Sequence, residues 1–260
     1  LNTEPGYKTE NVIVANMQTI SHFLYSDGNK TIDMFKKLGN NKELIERKLD
    51  GTPILSEWIF GSSIHSLTTN YSFKRADKDG FKEASMILLA KEYFDMFNFQ
   101  LVDGRLWDST DVFMQHKCII NETAKNLFEI TDIHSMKLQP EKQIIGSNEN
   151  NIPYDIVGVI KDFNIGHLSQ ATVPLIIVFH DNQKGKIAYS PIMDIMARFI
   201  PGKEKEAAEY LKGIYKEINN SDDFTYTLLD DDIASLYEED KRISNVYTLF
   251  ALLAVLVSSM

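Results

Sequence analysis

Apolar positions along this chain fall in short runs that end on turn residues, and the spacing within each run changes along the sequence. Asn11 to Thr19 (NVIVANMQT) is rich in β-branched and apolar residues and predicts a strand. Ser21 to Gly28 reads as a loop or short helix. From Asn29 to Leu49 the spacing becomes helical, with Phe35, Leu38, Leu44, Ile45 and Leu49 on one face. Gly39-Asn40-Asn41 interrupts that face, so two short helices are expected rather than one. Gly51-Thr52-Pro53 stops the helix, and Ile54 to Phe60 (ILSEWIF) predicts a second strand, which completes a β-α-β unit.

Beyond Gly61 the texture changes to short strand-like runs separated by turns. The runs are Ser66 to Phe73, Ala84 to Ala90, Lys117 to Asn121, Ile144-Ile145, Tyr154 to Ile160 and Leu175 to His180. Asp77 to Gly80 forms a turn between two of them. Lys91 to Phe97 predicts a short helix that leads to Leu101-Val102-Asp103-Gly104-Arg105, and Thr123 to Phe128 predicts another, capped by Asn121. Strand character returns over Ile187 to Phe199. Lys203 to Ile218 then has Ala207, Leu211, Ile214, Tyr215 and Ile218 on one face, the clearest amphipathic helix in the chain. Phe224 to Leu229 predicts a last strand. Asp230-Asp231-Asp232 follows and opens a helix that contains no Pro or Gly from Ile233 onward.

This order predicts an α+β fold: two β-α-β halves of one unit, with a mixed, mostly β segment inserted between them. Val246 to Met260 (VYTLFALLAVLVSSM) carries no charge and follows the strongly charged Glu238-Glu239-Asp240-Lys241-Arg242. A span of the bilayer core needs about 20 apolar residues. Two readings fit the run, the first part of a transmembrane helix or a buried terminal core helix. The chain begins Leu1-Asn2-Thr3, without Met or a signal-peptide pattern, and is expected to be a piece of a longer protein.

The composition, 43% hydrophobic and 25% charged over 260 residues, belongs to a folded protein and not to a disordered one. A net charge of -10 argues against nucleic acid, because phosphate binding needs a basic face. The single cysteine, Cys118, permits no intrachain disulfide and reads as a small buried apolar residue within a strand.

No catalytic or ligand motif stands out. The phosphate-binding G-x-x-x-x-G-K-[ST] and G-x-G-x-x-G patterns are absent, as are H-E-x-x-H and G-x-S-x-G. His22, His65, His116, His134, His167 and His180 form no i, i+4 pair, so no metal site is expected. Asp230 to Asp232 reads as a helix N-terminus rather than a cation site, and the N-x-[ST] triplets carry no weight in an Asn-rich chain. After the apolar run Ile156 to Ile160, Lys161-Asp162-Phe163 reads as a strand leaving for a loop, with Phe163 packed beneath it.

The blocks Lys91 to Phe97, Leu101 to Arg105, Cys118 to Ala124, and Asp155 to Asn164 with His167, Leu168 and Pro174 resemble, in order and spacing, the periplasmic core domain of MacB-like and FtsX-like ABC transporter permeases. The Asn-rich style and Gly6 to Val12 are similar to Bacteroides-type members, and Tyr237 to Arg242 followed by Phe250 to Ala254 resembles the start of their second transmembrane helix. The resemblance implies a porter-like subdomain at 1–61 and 184–236, a sabre-like inserted subdomain at 62–183, and a stalk with the start of a truncated membrane helix at 237–260.

It also implies a periplasmic domain of an inner-membrane permease without enzymatic activity of its own. It implies no cofactor here, because ATP is bound by a separate nucleotide-binding domain. The implied partners are that ABC ATPase, a second permease copy, and either a periplasmic adaptor with an outer-membrane channel or a lipoprotein or cell-wall hydrolase. Tyr237, Glu238, Arg242 and Phe250 are the implied coupling residues of the stalk. Two other readings remain beside this one. A periplasmic ligand- or peptide-binding sensor domain would show a pocket between the subdomains lined by aromatics and a few polar groups. A hydrolase would show perturbed titratable groups gathered in one cleft.

Overall fold

The computed structural model describes residues 6–19, 40–64, 68–108, 111, 116–144, 152–164, 172–179 and 192–235. The two ends of this range build one four-stranded sheet. It contains β1 (Val12–Thr19), β2 (Leu55–Phe60), β10 (Ile192–Phe199) and β11 (Tyr226–Leu228), in the order β11-β1-β10-β2. Every neighbouring pair is antiparallel. β1 and β2 therefore run parallel with β10 between them, and β10 and β11 run parallel with β1 between them. Each β-α-β unit leaves a gap that the other unit's strand fills, the split β-α-β arrangement of ferredoxin-like domains.

One face of this sheet is covered by α1 (40–50) and α4 (Glu204–Asn219). Ile45 and Leu49 of α1, with Ala207, Leu211, Ile214 and Ile218 of α4, pack on Ile13, Ala15, Met17, Leu55, Ile195 and Ala197. The helical spacing of those positions explains the burial. α4 ends where Asn220 turns left-handed (φ 50°) and returns its N–H to the Lys216 carbonyl. The first of the two expected short helices, and the terminal run Val246 to Met260, lie outside the described residues.

The intervening segment forms a seven-stranded sheet from β3 (Thr69–Arg75), β4 (Lys82–Leu89), β5 (Leu101–Gly104), β6 (Lys117–Asn121), β7 (Lys137–Pro140), β8 (Tyr154–Ile160) and β9 (Leu175–Phe179). Its order is β5-β8-β6-β9-β4-β3-β7, and β7 pairs back onto β8. That last pairing closes six strands into a small barrel; β7 pairs with the start of β8, and β5 pairs with the later residues 158–160 on the same edge. Side chains from all six ring strands fill the interior, among them Phe73, Met86, Cys118, Ile120, Leu138, Ile156, Ile176 and Val178. α3 (Glu122–Leu127) adds Ala124 to the same cluster.

The barrel corrects one strand assignment. Ile144 is buried in the barrel interior but is not in a strand, and the strand in that region is Lys137–Pro140. Its sequence, KLQP, has a single apolar side chain before the proline. Backbone bonding to β3 and β8, rather than an apolar pattern, makes it a strand. The acidic triplet lies at a helix N-terminus, as expected: the helix α5 (229–235) starts at Leu229, and Asp230 to Asp232 occupy its first turn. Carboxylates are favoured there by the helix dipole.

β4, β6 and β9 are covered on both faces. Ile87, Leu89, Ile119, Leu175, Ile177 and Phe179 point away from the barrel interior into a second cluster. There they meet α2 (Lys91–Phe97), with Val12, Ile59 and Met196 of the four-stranded sheet. This is why β9 reads as the unbroken apolar run LIIVF: a strand buried on both faces has no polar side to alternate with.

Two glycines fix how β5 crosses β8. A Cβ on Gly104 (φ +73°) would lie 2.4 Å from the Val157 carbonyl oxygen, and one on Gly158 would lie 2.1 Å from the Arg105 carbonyl oxygen. Gly158→Ala must therefore displace backbone, and overpacking of this kind costs about 1–3 kcal/mol. Urea denaturation of the variant is expected to show that loss. Gly213→Ala, where an added Cβ meets nothing and φ is not positive, serves as the comparison and is expected to show no such loss.

Candidate functional site

Asp194 and Arg198 interrupt an otherwise apolar strand, and a separation of four residues places both on one face of β10. That face carries α2. The Arg198 side chain is 6% exposed and each of its three guanidinium nitrogens donates a hydrogen bond. Nε donates to Glu57 Oε2 at 3.0 Å, Nη2 to the Met96 carbonyl at 2.7 Å and the Lys8 carbonyl at 3.2 Å, and Nη1 to the Glu10 carbonyl. Met96 is in the last turn of α2, where carbonyls lack helical partners and a cation is favoured by the dipole. Asp194 faces the rest of α2. Its carboxylate accepts from Asn16 Nδ2 (2.7 Å) and Ser62 Oγ (2.5 Å), and the Ser62 carbonyl accepts from the Tyr93 hydroxyl (3.0 Å). Burial, with the Asp194 charge nearby, pushes the Tyr93 phenol well above its ordinary range, so it acts here only as a donor.

The same junction holds the segment 6–10 that leads into β1. The Lys8 N–H donates to the Phe97 carbonyl at 2.9 Å. The Tyr7 ring lies edge-on to Phe97 and Phe163 at 5.4 and 5.5 Å, and Phe99 and Phe163 lie 4.8 Å apart. Leu229 and Ile233 of α5, one turn apart on the same helix face, enter this cluster from the other end of the chain. Both described ends thus root in one core that is shared with the barrel strands and α2.

A second polar junction ties β6 to β8 and β9. Asn121 is 1% exposed and makes three side-chain bonds: its Oδ1 accepts from the Ala124 and Leu175 N–H groups, and its Nδ2 donates to the Val173 carbonyl. Asp162 accepts from the Thr123 N–H (2.9 Å) and hydroxyl (2.7 Å). Phe163 lies buried beneath it in the central core. A third junction is built on Asp111, whose side chain is 1% exposed. It receives both terminal nitrogens of Arg105 (2.5 and 2.9 Å), Lys117 Nζ (2.7 Å) and the Asp108 N–H (3.0 Å). Burial alone would raise this carboxyl's pKa. The two cations and the backbone donor overcome that and hold it well below the usual carboxylate range.

These groups build structure and present no reacting set. Among the described residues no cluster of three His, Cys, Asp or Glu could hold a metal ion. Cys118 is fully buried in the barrel, and burial pushes its thiol up, away from the reactive thiolate form. Among the described residues, clefts open on the four-stranded sheet at two places. One of about 520 Å³ is lined by Asn11, Phe199, Glu204, Glu206 and Asp230. The other, of about 370 Å³, lies between α1, β2 and the start of α2. The four coupling residues expected from the sequence, Tyr237, Glu238, Arg242 and Phe250, lie outside the described residues.

Arg198, Asp111 and the α5 pair Leu229 and Ile233 are absent from the sequence expectations. A charge inside an apolar strand was the signal for Arg198. Nothing local marks Asp111, whose partners are ordinary surface residue types.

A family model described as the MacB-like periplasmic core domain matches residues 17–212. The periplasmic region of MacB from Actinobacillus actinomycetemcomitans shares the fold at a TM-score of 0.51 and 13% identity, covering 87% of this chain and 92% of that one. The extracellular domain of the noncanonic ABC-type transporter YknZ from Gram-positive bacteria gives 0.48 at 13% identity, covering 84% of this chain and 100% of that one. A domain of a putative permease protein from Porphyromonas gingivalis gives 0.48 at 15%, covering 84% and 89%. No curated protein matches the chain.

Arg198→Met leaves the Met96, Lys8 and Glu10 carbonyls without their donor and is expected to cost about 3–5 kcal/mol in urea denaturation. Arg198→Lys, with one donor group in place of the fork, is expected to recover only part of it. Because the Asp111 pKa is depressed by folding, its contribution is complete above the unfolded value of about 3.9 and is lost as pH falls below it. Asp111→Asn should therefore be clearly less stable than the wild type near neutral pH, and the gap should narrow as the medium is acidified below about pH 4.

Proposed function

The chain belongs to the MacB-like periplasmic core domain family, and from that membership we propose that it is the extracytoplasmic domain of an inner-membrane ABC transporter permease that relays mechanical motion. In this reading a separate cytoplasmic ATPase binds and hydrolyses ATP, and a second permease copy completes a dimer. The domain carries no catalytic chemistry of its own. Its movement serves export, lipoprotein release or signalling, and it docks a periplasmic partner, either an adaptor with an outer-membrane channel or a lipoprotein or hydrolase.

One observation carries this reading. Leu229 and Ile233 of α5 are anchored in the core shared by the four-stranded sheet, α2 and the barrel. A helix rooted on the surface would swing without moving the body. A helix rooted between two sheets must carry them with it, because close-packed interiors deform little. The sequence from Ile233 to Met260 contains no Pro or Gly to absorb such motion. Tyr237, Glu238, Arg242 and Phe250 fall within it and remain the proposed coupling residues.

A Gly-Pro insertion beside Ser244 in the full-length permease is the direct test. ATP turnover is expected to continue while transport is lost, with the domain still folded by circular dichroism. Transport at the wild-type rate would overturn the coupling reading.

A further inference from the structure

We propose that the outer edge of β2 is a docking groove that takes up an extended, basic peptide segment as an added strand. β2 is the last strand of the four-stranded sheet, and among the described residues its far side has no paired neighbour. The direction of its backbone groups follows from the register. The Gly61 N–H donates to the Asp194 carbonyl at 2.9 Å, and Ile59 and Glu57 pair with Met196 and Arg198. In an antiparallel pair only alternate residues turn their backbone groups toward the partner. Positions 61, 59 and 57 therefore point inward, and Trp58 and Phe60 turn their N–H and C=O groups outward. The strand, LSEWIF, contains neither Lys nor Pro, residues that commonly blunt exposed edges, and its one charge, Glu57, is turned onto Arg198.

This edge borders the cleft of about 370 Å³, walled by α1 on one side and by the start of α2 on the other. A groove between an open edge strand and a helix is the geometry in which peptides add to sheets, with backbone bonds giving affinity and wall contacts giving preference. The wall contacts here favour positive charge. Glu46, Asp50 and Glu92 line the groove with only Lys42 of opposite sign. Lys42 already lies 5.4 Å over the Phe60 ring and 3.9 Å from Glu46, and Asp50 accepts from the Trp58 indole at 2.9 Å. The half-buried Trp58 and Phe60 rings, 5.3 Å apart, give the aliphatic stems of incoming Lys or Arg side chains a surface to lie on. Peptide binding here is a property of the chain alone and does not rest on the transport reading.

The test uses this chain and a blocked peptide of about eight residues with alternating valine and lysine, enough to span β2 with flanks. Trp58 is the reporter, since the other tryptophan, Trp107, is buried in the central core. Saturable change in its emission is expected with the basic peptide and not with a version carrying glutamate in place of lysine. A version N-methylated at alternate residues along one edge is expected to bind at least about tenfold more weakly, the loss of roughly one strong backbone contact. The double variant Glu46→Lys and Glu92→Lys is expected to lose the basic peptide and to gain the acidic one, a reversal that a misfolded variant would not give. Absence of saturable binding, equal binding of the basic and acidic peptides, indifference to N-methylation, or an unchanged preference in the double variant would each overturn the proposal.

Discussion

A buried guanidinium cannot be left without acceptors, and that requirement organises the junction on which this fold depends. Removing Arg198 from water is costly unless its donors are met, and the surrounding chain meets them with three backbone carbonyls and one carboxylate. The acceptors come from the segment 6–10, the end of α2 and β2. Satisfying one side chain therefore sets the position of three elements at once. α2 is only two turns long and would not persist by itself. It is held by Arg198 at its last turn, by the Tyr93 contact with Ser62 near its start, and by four buried side chains between.

What packs on α2 joins the sheet to the barrel. The central core draws on the four-stranded sheet, the outer faces of β4, β6 and β9, and both described ends of the chain. Among the described residues the barrel and the sheet share one apolar cluster, so relative sliding would expose large side chains such as Phe97 and Ile177. The barrel has a filled interior of its own. The groove at the edge of β2 borders this junction and shares Glu57 and Tyr93 with it.

The polar junctions explain why certain sequence blocks belong together. Cys118 to Ala124 and Asp155 to Asn164 are each unremarkable stretches of strand and loop. In the structure Thr123 is bound twice by Asp162, whose own N–H donates to Glu122, and β6 lies parallel to β8, so the two blocks are bonded to each other. Leu101 to Arg105 belongs to the same assembly, because Gly104 and Gly158 admit the close crossing of β5 and β8. Their order along the chain was visible. Their mutual bonding was not, since the residues that meet are some 40 positions apart.

What the sequence determined by itself was local. The period of the apolar positions set α2, β6 and β8 to the residue and placed α4 and most other strands within a few positions, because those patterns record which face of each element is buried. Asn121 was readable as a cap because a cap is a local hydrogen bond. The tertiary structure alone decided the interleaved order β11-β1-β10-β2, the closure of β7 onto β8, and the identity of KLQP as a strand. It alone gave Arg198, Asp111 and the α5 anchors their roles. The strand order, the closure of β7, Arg198 and the α5 anchors depend on partners far away in the chain; the partners of Asp111 are within six residues, but they meet in a loop that has no periodicity to read.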